Sequence, residues 1–182
     1  VGEAPQYQQF RSEQFAKLYH GILCNFDVDI VHVHHVRGMT LELFYEAEKM
    51  QLPIFVTMHD YYFISPNITL LSKEYEHYRS PEEESKFINE INEQIGIAES
   101  IPYVKIWREE HAAVLNMAKE IFTPSESAKE IITRFYPQFS QKIVVVEHGT
   151  DCTKKIEKKE KSGKKEFHVA FLGGISIEKG YN

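Results

Sequence analysis

Titratable and hydroxyl-bearing residues follow several of the short apolar runs in this sequence. The most prominent are His59 and Asp60, which come directly after the apolar run from Ile54 to Met58. An apolar run rarely ends in two titratable residues unless they reach a functional surface, so we interpret this pair as candidate catalytic residues. The other candidates at comparable positions, which we expect to line the same cleft, are His34, His35, Ser125, Glu126, Gly149, Thr150 and Asp151.

Two other chemistries are less compatible with these residues. A cluster of His and Asp side chains can hold Zn²⁺, but the sequence has neither a helical HExxH pair nor a set of cysteine ligands. A serine nucleophile of the GxSxG type sits between glycines, and Pro124-Ser125-Glu126-Ser127 has none. We therefore expect no bound metal, and we expect Ser125 to lie at the start of a helix.

A further group of candidates lies near the end of the chain. Gly173 and Gly174 follow an apolar run, and Lys179 comes shortly after them. Glycines let backbone N–H groups approach a phosphate, and a lysine neutralises its charge. The pattern predicts a site for a phosphate-bearing ligand.

The candidates are separated by segments with alternating helical and strand patterns. Apolar residues recur every three or four positions in four segments, and a polar, acidic stretch adds a fifth predicted helix. The predicted helices span residues 9–24, 38–50, 82–96, 104–118 and 127–135. Runs of β-branched and aromatic residues predict strands at residues 29–35, 54–58, 120–123, 142–147 and 167–172.

This alternation predicts an α/β fold with a Rossmann-like parallel sheet flanked by helices. Ligands of such sheets bind outside the carboxyl ends of the strands, where the candidates would lie. Because side chains alternate along a strand, we expect His34 and His35 to point to opposite faces and at most one to enter the cleft. We expect His32, inside the strand, to be a core histidine, and the run from Ile54 to Met58 to be buried on both faces.

Two local patterns concern the later helices. Ser127 and Glu130 have the three-residue spacing of a capping box, which predicts a helix start at Ser127. Arg108, next to Trp107, is interpreted as a structural cation stacked on an aromatic ring.

Charge and cysteine usage exclude several classes of protein. The 182 residues carry a formal charge of -6, so no global basic field would attract nucleic acid. The two cysteines, Cys24 and Cys152, are too few and too far apart for a disulfide framework, which favours a reducing, cytoplasmic setting. No run approaches the roughly 18 consecutive apolar residues of a membrane span.

The division of the chain follows from a change in composition. We expect residues 1–151 to form the later part of one Rossmann-like domain. Residues 152–166, which hold seven lysines, are predicted to be a linker or loop, and residues 167–182 the first strand and loop of a second Rossmann-like domain. Because the chain begins with Val1 and ends at Asn182 within a predicted strand-to-helix turn, we expect both ends to be cut.

Five phrases of the sequence, taken in order, resemble the group 1, or family 4, retaining glycosyltransferases. They are Asp29-Ile-Val-His-Val-His-His35, Pro53-Ile-Phe-Val-Thr-Met-His-Asp60, Phe122-Thr-Pro-Ser-Glu-Ser127, Ile143-Val-Val-Val-Glu-His-Gly-Thr-Asp151 and Phe171-Leu-Gly-Gly-Ile-Ser-Ile-Glu-Lys-Gly180. Each phrase is loose by itself, but the five in this order are specific, and they cover most of the chain from Asp29.

The resemblance implies the GT-B fold, in which an acceptor-side and a donor-side Rossmann-like domain face a cleft. It implies transfer of a hexose from a nucleotide sugar to a sugar, lipid-linked or other acceptor, with retention and with neither cofactor nor metal. His59 would reach the donor sugar near the reacting carbon, and Lys179, beside Gly173 and Gly174, would bind the diphosphate. The resemblance further implies a place in carbohydrate biosynthesis and peripheral attachment of the full-length protein to a membrane.

The sequence departs from the family pattern in two places. Gly174 stands where many members carry a basic residue, and neither the paired-glutamate motif nor the first glycine-rich loop has a counterpart in residues 1–182. We therefore expect the chain alone to lack a complete active site. Two alternatives stay open, namely a non-catalytic binding or assembly module and a sugar-nucleotide epimerase of the same two-domain architecture.

Overall fold

In the described part of the chain, helices and strands follow the predicted order. A computed structural model describes residues 10–66, 68–71, 78, 80, 82, 83, 86 and 103–149. The helices of this part are α1 (Glu13–Asn25), α2 (Glu42–Lys49), α3 (Tyr103–Met117) and α4 (Glu126–Phe135), followed by a 3-10 turn at Pro137–Phe139. The strands are β1 (Val31–Val33), β2 (Ile54–Thr57), β3 (Glu120–Thr123) and β4 (Ile143–Val145). The chain divides into two compact units, Val1–Glu147 and His148–Asn182, and these elements all belong to the first.

In the described part of the chain, the strands form one parallel sheet in chain order, β1-β2-β3-β4. Val31 pairs with Ile54, Val56 pairs with Ile121, and Ile121 pairs with Ile143. This arrangement confirms the predicted α/β class and the Rossmann-like parallel sheet flanked by helices. Parallel pairing also places the carboxyl ends of the strands along one edge of the sheet, which we call the carboxyl edge.

Among the residues that the structure describes, helices cover one face of this sheet and leave the other face open. Crossovers between parallel strands are right-handed in nearly all proteins, so a sheet whose strand order follows chain order carries its crossover helices on one face. The side chains on the covered face are buried; they are Val31, Val33, Ile54, Val56, Ile121, Thr123 and Ile143. On the open face His32 and Val144 are exposed, and Phe55, Thr57 and Phe122 are partly buried. The expectation that β2 is buried on both faces is therefore wrong.

The ends of several elements differ from the sequence prediction. β3 spans the predicted residues, whereas β1, β2 and β4 are shorter, because a propensity pattern does not reveal where backbone pairing stops. Helix α2 begins at Glu42 rather than near Gly38, since Gly38 adopts a φ of 75°, a left-handed conformation that glycine adopts without a steric penalty. Helix α4 is capped by Ser125, so the predicted start at Ser127 is wrong.

The first two helices are joined through Glu42. The side chain of Glu42 is about 5% exposed, and its Oε1 accepts hydrogen bonds from Nε of Arg11 at 2.8 Å and from the backbone N–H of Ser12 at 3.0 Å. Burial raises the pKa of this carboxyl, but the hydrogen bonds from Arg11 and Ser12 together lower the pKa by more than burial raises it. The pKa of Glu42 therefore lies below its ordinary value. Because Ser12 is the N-cap of α1, this bond fixes the start of α1 against the first turn of α2.

Two predictions concern residues that the structure describes little or not at all. The helix expected at residues 82–96 lies mostly outside the described residues, and the strand expected at 167–172 lies wholly outside them. Within the described ranges, no helix combines the length and apolar character needed to cross a membrane.

Candidate functional site

Two pairs of side chains connect the residues that follow β1 with those that follow β2. Nδ1 of His34 lies 2.8 Å from Nε2 of His59, and Nε2 of His35 lies 3.0 Å from Oδ2 of Asp60. The partners are 25 positions apart in each pair. They meet because β1 and β2 are adjacent parallel strands whose ends share the carboxyl edge. The structure thus brings four of the predicted site residues into contact, and we call them the His-Asp cluster.

The outer pair of the cluster consists of two nearly coplanar imidazoles that meet edge to edge. The ring centroids of His34 and His59 are 5.2 Å apart, and the ring planes differ by 14°. One of the two facing nitrogens must carry a hydrogen and the other a lone pair, so the contact holds one hydrogen between the rings. His59 is exposed, which leaves its ring within reach of a ligand at the carboxyl edge.

The inner pair has a defined tautomer. The backbone N–H of Arg37 donates to Nδ1 of His35 at 2.7 Å, so Nδ1 presents its lone pair. Neutral His35 therefore carries its hydrogen on Nε2 and donates it to Oδ2 of Asp60. The backbone N–H of Tyr62 donates to Oδ1 of Asp60 at 2.9 Å, so both carboxylate oxygens have a donor.

His32 extends the row of imidazoles onto the open face of the sheet. Its Nε2 lies 2.8 Å from Oγ1 of Thr57, and its ring centroid is 4.3 Å from that of His34. His32 is exposed, so the expectation of a core histidine is wrong; its position in β1 belongs to the uncovered face. Partial burial of the ring, together with nearby His34 and His59, lowers the pKa of His32 below its ordinary value.

His34 and His35 lie just beyond β1, which ends at Val33. The His34 ring lies beside His32 of the open face, whereas the His35 ring lies beside the buried Tyr62. The two rings therefore lie on different sides, as strand alternation predicts, and the expectation that at most one of them enters a cleft stays a prediction.

The segment that follows the cluster is held by two buried side chains, one from α3 and one from the C-cap residue of α4. Nε1 of Trp107 donates to the carbonyl of Tyr62 at 2.8 Å, and the hydroxyl of Tyr136 donates to the carbonyl of Phe63 at 2.8 Å. Trp107 and Tyr136 are 1% and 2% exposed, so these bonds lie in the core. The turn that carries His59 is thereby attached to the interior of the sheet-and-helix unit.

Comparison with known proteins identifies the family of this fold and site. The sequence model of a family described as Glycosyltransferase Family 4 matches residues 6–154, which include the whole described sheet and the His-Asp cluster. The chain belongs to glycosyltransferase family 4. Searches among curated proteins and among solved structures gave no match to the chain. The group 1 glycosyltransferase-like domain that the sequence phrases indicated is thus confirmed.

In this family 4 chain, Ser125 and Glu126 lie where β3 passes into α4. Oγ of Ser125 accepts a hydrogen bond from the backbone N–H of Ala128 at 3.2 Å, which confirms its predicted place at a helix start. Glu126 is the first residue of α4, and both side chains are exposed. Their part in a ligand site stays a prediction.

The other predicted site residues belong to the second unit of the chain. Gly149 is described and exposed, whereas Thr150, Asp151 and the phosphate-loop candidates Gly173, Gly174 and Lys179 lie outside the described residues. Their roles stay predictions, as does the division of residues 152–182 into linker and second domain.

Arg108 is a structural cation stacked on an aromatic ring, as predicted, but the ring belongs to Phe135 and not to Trp107. Its guanidinium carbon lies 4.9 Å from the ring centroid of Phe135, on α4, so it is a stacked cation between two helices.

No set of three His, Cys, Asp or Glu side chains within the described ranges is arranged to hold a metal ion. The metal-independent reaction that the resemblance implies stays a prediction.

Sequence reasoning missed the supporting residues of the cluster. Thr57 was placed only within a strand and Trp107 only on a helix beside Arg108, and Tyr136 follows the last residue of the predicted helix 127–135. Thr57 precedes His59 by two positions on the same strand edge, which is a local signal for a shared face. Trp107 and Tyr136 gave no such signal, since their partners Tyr62 and Phe63 are 45 and 73 positions away.

Proposed function

We propose that this chain forms the acceptor-side wall of a glycosyltransferase site that moves a sugar from a nucleotide-sugar donor to an acceptor with retention, within a GT-B architecture. Membership of family 4 supports a glycosyltransferase-like function. The observation that carries the proposal is the exposed imidazole of His59, held at the carboxyl edge by His34. Ligands of parallel α/β sheets bind at this edge.

The proposed reaction exchanges one bond at the anomeric carbon for another. The bond between that carbon and the leaving diphosphate breaks, and a bond to the acceptor hydroxyl oxygen forms on the same face of the sugar. The hydroxyl proton passes to the departing phosphate oxygen, so no other acid or base is required. Positive charge develops on the sugar ring as the diphosphate leaves. Polar groups that are already positioned around the ring stabilise this charge, and they supply most of the lowering of the activation barrier.

His59 is assigned to the donor sugar in this scheme. Its facing nitrogen is engaged with His34, which restricts the orientation of the ring before a ligand arrives. A polar group that is already oriented needs no reorganisation as charge develops. Gly173, Gly174 and Lys179 are assigned to the donor diphosphate, and this assignment rests on the sequence resemblance alone.

The role of His59 can be tested by substitution in a protein that contains residues 1–182. We expect His59→Ala to lower turnover of a nucleotide sugar by about 100-fold, the loss seen when one positioned donor is removed. His20→Ala is the matched control, because His20 is an exposed histidine on α1, away from the carboxyl edge, and its removal should leave turnover within about twofold of the parent.

Two outcomes would contradict the proposal. Unchanged turnover in His59→Ala would remove His59 from the site. Release of free nucleotide and an epimerised sugar, without any acceptor, would show epimerisation rather than transfer. A thermal-shift screen of nucleotide sugars precedes the assay and identifies the donor, because a ligand that binds the folded state raises Tm.

A further inference from the structure

We propose that His35 is a positioning residue, which clamps Asp60 and thereby orients the adjacent His59 toward the donor sugar. The ligand in this proposal rests on the proposed function, but the clamp itself rests on the geometry of the His-Asp cluster alone. Asp60 acts here as a brace between two segments and does not touch the reacting atoms.

The first step of the argument is the direction of the hydrogen bonds. His35 accepts a hydrogen from Arg37 at Nδ1 and donates one to Asp60 from Nε2. A neutral imidazole offers an acceptor and a donor on separate sides of one rigid ring. Arg37 takes part only through its backbone N–H, so the tautomer of His35 is set by the turn that follows β1.

The second step is the number of contacts that Asp60 makes. Oδ2 accepts from His35, and Oδ1 accepts from the backbone N–H of Tyr62. The carboxylate therefore joins the segment after β1 to the turn after β2, and rotating it would break at least one bond. Asp60 follows His59 directly, so this constraint fixes the peptide that carries the His59 ring.

The third step is the attachment of the clamp to the core. The rings of His35 and Tyr62 lie 4.9 Å apart, and Tyr62 lies 4.9 Å from Trp107. Trp107 also donates to the carbonyl of Tyr62. The clamp is therefore backed by a buried tryptophan, whereas His34 and His59 are exposed. The inner pair, which contacts the core through Tyr62, thus orients the outer pair.

The clamp can be read directly from the histidine ring signals of the 182-residue chain. Long-range ¹H–¹⁵N correlation spectra distinguish the two neutral tautomers, and single substitutions assign His35 and His59. We expect wild-type His35 to carry its hydrogen on Nε2. A hydrogen on Nδ1 would overturn the proposal, and this reading needs no variant that might alter folding.

Two variants of His35 then separate positioning from general structure. His35→Gln retains an N–H donor that can reach Asp60, and His35→Ala removes it. We expect His35→Ala to shift the ring signals of His59, while His35→Gln and the control His20→Ala leave them near the wild-type positions. Unshifted His59 signals in a folded His35→Ala chain would overturn the proposal.

The clamp can also be tested by measuring turnover of a nucleotide sugar in a protein that contains residues 1–182. Misplacement of a reacting group by about 1 Å costs roughly 100-fold, so we expect His35→Ala to lower kcat by about 10- to 100-fold with KM for the donor nearly unchanged. His35→Gln should recover most of this loss, and equal losses in both variants would overturn the proposal. If no nucleotide sugar is turned over, the proposed function fails, and the ring signals alone decide the clamp.

Discussion

At the scale of single residues, His111 shows how burial fixes a protonation state. Its side chain is fully buried and stacks on Trp107 with ring centroids 4.5 Å apart. Nδ1 donates to the backbone carbonyl of Trp107 at 2.8 Å, and Nε2 has no hydrogen-bond partner in the described part of the chain. Burial lowers the pKa of His111 to about 4, although the bond to the carbonyl favours the charged form.

This shift predicts a loss of stability in mild acid. The unfolded chain binds a proton at His111 as the pH falls below about 6.5, whereas the folded chain does so only near pH 4. The free energy of unfolding therefore decreases as the pH falls from about 6.5 to about 4. His111 contributes about 2–3 kcal/mol to the decrease between pH 7 and pH 4.5. We expect His111→Phe, which keeps a stacked ring, to show a correspondingly smaller loss over this interval.

Urea unfolding at pH 7 and pH 4.5 measures both proteins. The comparison between the two pH values removes any constant effect of the substitution on packing. If His111→Phe lost as much stability as the wild type between pH 7 and pH 4.5, the buried neutral imidazole would not be the source.

At the scale of secondary structure, the start of α4 depends on one hydroxyl. The capping-box spacing pointed to Ser127, but Ser125 has the extended backbone of an N-cap residue, with φ -156° and ψ 159°. Its Oγ accepts the N–H of Ala128, three residues later. An N-cap side chain satisfies an N–H group that has no partner within the helix, and this geometry belongs to Ser125.

The two serines form a matched pair for experiment. We expect Ser125→Ala to reduce the free energy of unfolding by about 1 kcal/mol, because a helix N–H loses its acceptor. Ser127→Ala should change it by less than about 0.5 kcal/mol, since Ser127 is an exposed residue within the helix. Chemical unfolding monitored by circular dichroism compares the two variants, and a larger loss for Ser127→Ala would contradict the observed cap.

At the scale of the whole molecule, the strand order decides which surface of the sheet is buried. A doubly wound sheet reverses its strand order and so receives helices on both faces. The described strands run in one direction across the sheet, and right-handed crossovers then keep the helices together on one side. Phe55 and Phe122 stack on the open side, with ring centroids 6.1 Å apart, and both are only partly buried.

Neighbouring residues of β3 test this asymmetry. Ile121 is fully buried on the covered face, so we expect Ile121→Ala to cost about 3–4 kcal/mol through lost burial and the cavity left behind. Phe122 lies on the open face, and Phe122→Ala should cost about 1–2 kcal/mol, mainly through lost ring contacts. Equal losses in urea unfolding would show that the open face is covered in solution.

Much of the fold could be predicted from sequence because its signals are local. The period of apolar residues separated helices from strands, and the run from Glu120 to Thr123 predicted β3 with its observed limits. Element ends were less predictable, since a cap or a turn depends on backbone geometry. The helical pattern from residue 38 gave no sign that Gly38 has a left-handed backbone and that α2 begins at Glu42. The spacing of Ser127 and Glu130 indicated the wrong serine as the N-cap of α4.

The sequence by itself determined that this is an α/β chain of family 4 with polar residues at strand ends, because periodicity, composition and ordered motifs are properties of neighbouring residues. Only the tertiary structure decided that His34 meets His59, that His35 donates to Asp60, and that His32 is exposed on an open face. The partners in these pairs are 25 positions apart, and they meet only after β1 and β2 have paired in register. Hydrogen-bond direction and burial are properties of that assembled arrangement.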